Sequence, residues 1–258
     1  MTSRTHRTVC GLSVNCCTGV AIMSSGCAYP DRVRHPPACL MHKYGSFAVN
    51  AGDQIHQLTG HVGRGLEAMN NAGRNDTFPR VLAFMSVVDA TVPPSTLIRV
   101  LFDRLGDRGH QLVLFDVDRR AETRALLVHD PQQRLEDLIG ETNKTYDLTL
   151  VTNKYLNSHS VEALFRQAGD SNITHDPLQL EWPTGVFSLS HVALPIPPDD
   201  PLYGGPATES RDYPWITLGN VSIRGERNLL LFPDNYFMRL RYNPFHDYLT
   251  ERVLGFLE

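Results

Sequence analysis

Between Val81 and Phe115 the chain passes through an apolar run, a proline-opened helix signal and a second apolar run. This order constrains the fold more than any other feature. Val81-Leu82-Ala83-Phe84-Met85-Ser86-Val87-Val88 is short and contains several β-branched residues, the pattern of a strand buried on both faces. It ends at Asp89. Thr91 can cap a following helix, and Pro93 and Pro94 carry the fixed φ that suits a first turn. Leu97, Leu101 and Leu105 keep one helix face apolar, and the stretch from Gly106 to Gly109 closes it. Gln111 to Phe115 then reads as the next strand. A strand–helix–strand unit of roughly 30 residues is the length a parallel crossover requires. The expected class is therefore α/β, with a mostly parallel sheet and flanking helices.

The flanking sequence continues in the same style. Ile55, Leu58, Val62, Leu66 and Met69 recur at spacings of three and four and predict a helix over Asp53 to Met69. Leu148 to Val151 predicts a strand. Val161, Leu164, Phe165 and Ala168 predict a helix beginning after Ser158 or Ser160. Gly185 to Ser190 predicts a further short strand that ends at His191. Pro195 to Gly205 is rich in Pro, Asp and Gly and reads as a surface loop. Asn228 to Phe232 is a brief apolar strand or buried segment. Asn243-Pro244 opens a last helix with Phe245, Leu249, Val253 and Leu257 on one face.

Residues 1–40 differ in kind. They mix Cys, Gly, Ser, Pro and Arg without strand or helix periodicity, and they hold all five cysteines: Cys10, Cys16, Cys17, Cys27 and Cys39. The expected organisation is an unassigned Cys-rich segment, 1–40, followed by one α/β domain over 41–258. No CxxC pair or HxxxH partner gives these cysteines zinc-site spacing, and an odd count disfavours a closed disulfide framework. The body reads as a reduced, cytoplasmic protein. The alternative is an exported or lipid-anchored chain, since Arg4, His6 and Arg7 precede a mildly apolar stretch that ends near Cys27. The formal net charge is −4, and Lys and Arg do not cluster, which gives a nucleic-acid role little electrostatic support. No apolar run approaches the roughly 18 residues of a membrane-spanning helix.

Chemistry is expected where strands end. In an open α/β sheet, loops at the carboxyl ends of parallel strands bring distant residues together. Asp89 follows one predicted strand and His191 another, about 100 residues later in the chain. An acid that orients an imidazole, and an imidazole that accepts a hydroxyl proton, is the pairing that activates a serine. Asp89 also suits a plainer task as a turn or helix cap, and His191 is one of eleven histidines. Asp199-Asp200 is a carboxylate pair, but its Pro-rich setting indicates a turn. Tyr236, Phe237, Tyr242, Phe245 and Tyr248 read as core packing.

Three stretches together resemble a known family: Tyr44 to Ala51; Phe84 to Pro93 with its Val-Val-Asp-Ala-Thr-Val-Pro; and Gly185 to Gly204 with Ser-Leu-Ser-His-Val-Ala-Leu-Pro. The C-terminal Met238-Arg239-Leu240-Arg241-Tyr242-Asn243-Pro244-Phe245 fits as well. Over about Met41 to Glu258 the chain is similar to bacterial α/β-hydrolases of the serine aminopeptidase (S33) and monoacylglycerol-lipase branch. The resemblance implies an esterase, lipase or peptidase acting on a small-molecule or lipid ester or amide. It implies Asp89 as the acid, His191 as the base and no cofactor.

The nucleophile departs from the family pattern. A Gly-x-Ser-x-Gly elbow is absent, and the nearest approach is Gly11-Leu12-Ser13-Val14-Asn15, which makes Ser13 the candidate. Only 88 residues precede Asp89, fewer than the strands that come before the acid in that family need. The chain therefore reads as a truncated or partly out-of-frame hydrolase. Its alternative is an inactive remnant that binds a partner or has no function. A missing half-sheet would expose a strand edge and favour self-association.

Overall fold

In the computed structural model the described residues are 32–34, 46–89, 92–189, 192, 195–200, 204, 223–226, 229–232, 237–238, 240 and 242–258. Two compact units divide the chain, Met1–Gly73 and Arg74–Glu258. In the first, β1 (Arg32–Arg34) pairs antiparallel with β2 (Ser46–Ala48), and the long helix α1 (Val49–Asn71) follows directly. The helix expected over Asp53 to Met69 lies inside α1.

The second unit is built on a five-stranded mixed sheet. Its strands are β3 (Leu82–Ser86), β4 (His110–Phe115), β5 (Tyr146–Asn153), β6 (Ser160–Arg166) and β7 (Ile173–Glu181), and they lie side by side in chain order. The first three are mutually parallel, and β6 and β7 add antiparallel hairpins. Helix α2 (Pro94–Val100) with a short 3-10 turn links β3 to β4, while α3 (Ala121–Arg124) and α4 (Gln132–Gly140) lie between β4 and β5. The class is α/β, and the crossover expected between Val81 and Phe115 is present in parallel register, Leu82 opposite Gln111 and Ser86 opposite Phe115.

Central β4 shows why an unbroken apolar run makes such a strand. Side chains alternate between faces. Leu112 and Leu114 enter one core with Met85, Ile98 and Leu135, whereas Val113 and Phe115 enter the other with Val161, Trp182 and Phe245. Helices α2 and α4 cover the first face. The second is covered by the segment after β7 and by α5 (His246–Leu257), which adds Tyr248 and Leu249.

Several expectations need correction. Ser160–Arg166 is the strand β6, not a helix. Its apolar residues satisfy a helical spacing over so few positions that the period is ambiguous. What decides the matter is β5, whose open edge pairs it in register from Leu148 opposite Arg166 to Asn153 opposite Val161. Strand β7 alternates only from Leu178 to Glu181 and carries Pro177 in its interior. Proline has no N–H to donate and is tolerated on an edge, which is where β7 lies. Gly185 to Leu189 is not a ladder strand. Val186 N–H closes a turn onto Pro183 O at 3.1 Å, and Gly185 takes a left-handed φ of 79°. Helix α2 starts after Pro93 with no side-chain cap, and Thr91 lies outside the described residues.

Candidate active site

The carboxyl ends of β3, β4 and β5 lie along one edge of the sheet, and each feeds a polar segment. After β3 the chain makes a tight turn in which Asp89 N–H donates to Ser86 O at 3.1 Å. Asp89 Oδ1 then accepts the Val92 N–H at 3.0 Å. The half-buried carboxylate thereby ties the loop before Pro93 and Pro94 by satisfying the Val92 N–H. The plain turn-capping task is thus real for one carboxylate oxygen. Beneath the turn, Ser86 is 1% exposed, and its Oγ has no hydrogen-bond partner among the described residues.

After β4 the sequence Asp116-Val-Asp-Arg-Arg forms a buried ionic network that the sequence reading did not single out. Asp116 and Arg119 meet twice, Nε to Oδ2 at 2.7 Å and Nη2 to Oδ1 at 2.8 Å. The remaining lone pairs of Asp116 accept from Val117 N–H and Thr152 Oγ1, each at 2.8 Å. Arg119 also binds Asp130 through Nη1, and its backbone N–H donates to Asn153 Oδ1 at 2.7 Å. Asp118 is wholly buried and accepts from Asn153 Nδ2 at 3.0 Å and Arg120 Nε at 2.8 Å. Arg120 Nη1 reaches His159 Nε2 at 3.0 Å, and His159 Nδ1 lies 2.7 Å from Trp182 O. A carbonyl can only accept, so His159 carries its proton on Nδ1 and receives the guanidinium proton at Nε2.

Burial alone would lower the Arg119 pKa, but the hydrogen bonds and charges of Asp116 and Asp130 outweigh it and raise it, so the guanidinium stays charged. Burial would in turn raise the Asp130 carboxyl. The Gln132 N–H and the Arg119 guanidinium outweigh this and hold it below the ordinary range. Both carboxylate oxygens of Asp116 are engaged, so Asp116 has no lone pair to lend to a reacting group. It is a clamp that fixes the loop after β4 against the end of β5. One signal could have found it: two acids and two bases placed directly after a doubly buried strand.

The clamp also orders the approach to His191. Asp118 N–H donates to Phe187 O at 2.9 Å, and Leu189 and Val192 are buried in the second core. Past that point, Asn243 Nδ2 donates to Val192 O and Asn243 N–H to Ile196 O, both at 2.8 Å. Ser188 Oγ accepts the Glu226 N–H at 2.8 Å, with Gly225 packed against it. Both chain flanks of His191 are thus held in place. Of the three residues predicted for the site, Asp89 lies at the carboxyl edge; His191 and Ser13 lie outside the described residues.

The other candidates have structural explanations. Asp200 closes turns with Pro197 O and the Gly204 N–H, as a loop residue does. Phe245 is fully buried and Tyr242 nearly so, which agrees with core packing. Among the described residues no group of three or more His, Cys, Asp or Glu side chains could hold a metal ion, and no helix is long and apolar enough to cross a membrane. The chain matches no protein-family model, no curated protein and no solved structure.

Proposed function

We propose that this chain is a serine hydrolase of the α/β-hydrolase type, cleaving an ester or amide by acyl transfer. The observation that carries this reading is the position of Asp89. It follows the carboxyl end of a strand that lies parallel to its neighbour β4, in a turn held by backbone bonds. That edge is where an α/β sheet assembles its chemistry. His191 is the base, and Asp89 orients it and stabilises its cationic form. Ser13 is the candidate nucleophile. The imidazole takes the hydroxyl proton as the serine oxygen attacks the carbonyl. It then returns the proton to the departing alcohol or amine, and water releases the acyl group by the reverse route.

A second reading is a catalytically silent relative that retains the acid and base. Two observations favour it: the chain holds no Gly-x-Ser-x-Gly, and β3, the strand before Asp89, is an edge strand of the described sheet. A fluorophosphonate serine probe separates the two readings, with the labelled residue mapped by mass spectrometry. Labelling at Ser13 that disappears in His191→Ala supports the hydrolase. A folded sample that takes no label leaves the silent relative.

A further inference from the structure

A cleft of about 270 Å³ lies between α2 and α4, on the face of the sheet they cover. Its floor is apolar: Val87 and Leu114 come from the sheet side, Ile98 from α2 and Leu135 from α4. The cleft opens to solvent, and Asp103, Asp137 and Glu141 in its lining are exposed. At the ~30 Å³ that each water occupies in the liquid, it has the volume of about nine. A cleft of that size with apolar walls gives water few hydrogen bonds and favours an apolar guest of on the order of ten heavy atoms.

Charge selects the guest. The cleft lining also carries Asp103, just past α2, Asp137 of α4, Glu141 immediately after that helix, and Lys144. Lys144 Nζ is spent on two of these acids, 2.7 Å from Asp103 Oδ1 and 2.8 Å from Glu141 Oε2. Among the described residues Asp137 accepts from the neutral amide of Gln133, at 3.1 Å, and no cation pairs with it. Among the described lining residues, three carboxylates against one ammonium leave a surplus of two negative charges beside an apolar floor. An anionic head there is repelled and a neutral one gains little, whereas a cation is attracted.

We propose that the α2–α4 cleft is a binding site for a small amphipathic amine, its alkyl or aryl body against Ile98, Leu114 and Leu135 and its ammonium at Asp137. The site is independent of the hydrolase reading, since Asp89 is not among the described residues that line it.

The test uses three eight-carbon probes on the full chain, n-octylammonium, 1-octanol and octanoate, with saturation-transfer NMR titrations. Octylammonium is expected to bind saturably and about tenfold more tightly than octanoate, with octanol between them. Asp103→Asn combined with Asp137→Asn, both at exposed positions, should weaken the amine about three- to tenfold and leave octanol unchanged. Leu138→Trp, which fills the cleft from a half-buried wall position, should abolish binding of all three. If that variant does not fold, the double Asn variant carries the test. The proposal is overturned by octanoate binding as tightly as octylammonium, by no saturable amine binding up to about 10 mM, or by amine affinity that the double Asn variant leaves unchanged.

Discussion

Asp116 and Arg119 form a two-point ion pair, 2.7 and 2.8 Å long, with both side chains almost entirely out of solvent. The pair joins the end of β4 to the end of β5, because Asp116 N–H donates to Val151 O and Asp116 Oδ2 accepts from Thr152. Such a pair need not stabilise the fold relative to an apolar substitute, but it makes the loss of either partner costly.

Replacing Arg119 with Met strands the Asp116 carboxylate, and replacing Asp116 with Ala leaves the buried guanidinium with Asp130 as its carboxylate partner. Each is expected to lower unfolding stability by about 3–5 kcal/mol. Urea denaturation should show the midpoint fall for either single change. A double replacement by apolar residues should recover part of the loss, and failure to recover any would show that the pair does more than satisfy its own charges.

His110 predicts a pH response. It is fully buried, its Nδ1 accepts the Val81 N–H at 3.1 Å, and burial, aided by Arg108, lowers its pKa below the ordinary 6.5. The folded state therefore binds this proton less readily than the unfolded state. The stability that depends on neutral His110 is full above pH 6.5 and is lost as pH falls from there toward the folded pKa. Thermal melts from pH 7.5 to 5 should show decreasing stability, and His110→Gln should flatten that slope.

Phe245 anchors the second core. It stacks on Phe115 at a ring-centre distance of 5.4 Å and meets Trp182 edge-on at 5.0 Å. Phe245→Ala should cost about 3–5 kcal/mol. Loss of near-ultraviolet dichroism from the Trp182 surroundings should accompany it, with far-ultraviolet helix signal kept.

Ser188 is a positioning residue for the segment that leads into His191. Ser188→Ala leaves the buried Glu226 N–H without its acceptor, at a cost of about 1–3 kcal/mol. Gly225→Val should be at least as harmful, because a Cβ at Gly225 would stand 2.8 Å from Ser188 Oγ. Chemical denaturation of both variants and the pair tests this. Their effects should fall short of additive if they disturb one contact.

Asp89→Asn separates the turn-tying role from the catalytic one proposed above. Asparagine keeps an oxygen that can accept the Val92 N–H, so melting temperature should hardly move. Hydrolytic turnover should drop on the order of 10⁴-fold, the loss a serine protease suffers when its triad Asp is changed to Asn. A large stability loss with turnover unchanged would leave Asp89 as a turn residue alone.

The sequence by itself determined the parallel β3–α2–β4 unit and the position of Asp89 at its edge. A doubly buried strand needs an unbroken apolar run, and proline marks a helix start, so both features are written locally. It also determined the last helix, which follows the fully buried Phe245. Only the tertiary structure decided that Ser160–Arg166 is a strand, because the open edge of β5 supplies the hydrogen bonds that a short ambiguous pattern does not specify. The same holds for β7, where an edge position accommodates Pro177. The partners of the Asp116–Arg119 clamp on β5 and at Asp130, and the α2–α4 cleft, were likewise set by the tertiary structure. Each joins residues from separate elements, and a charge or an apolar side chain acquires its meaning only from the groups that the fold brings against it.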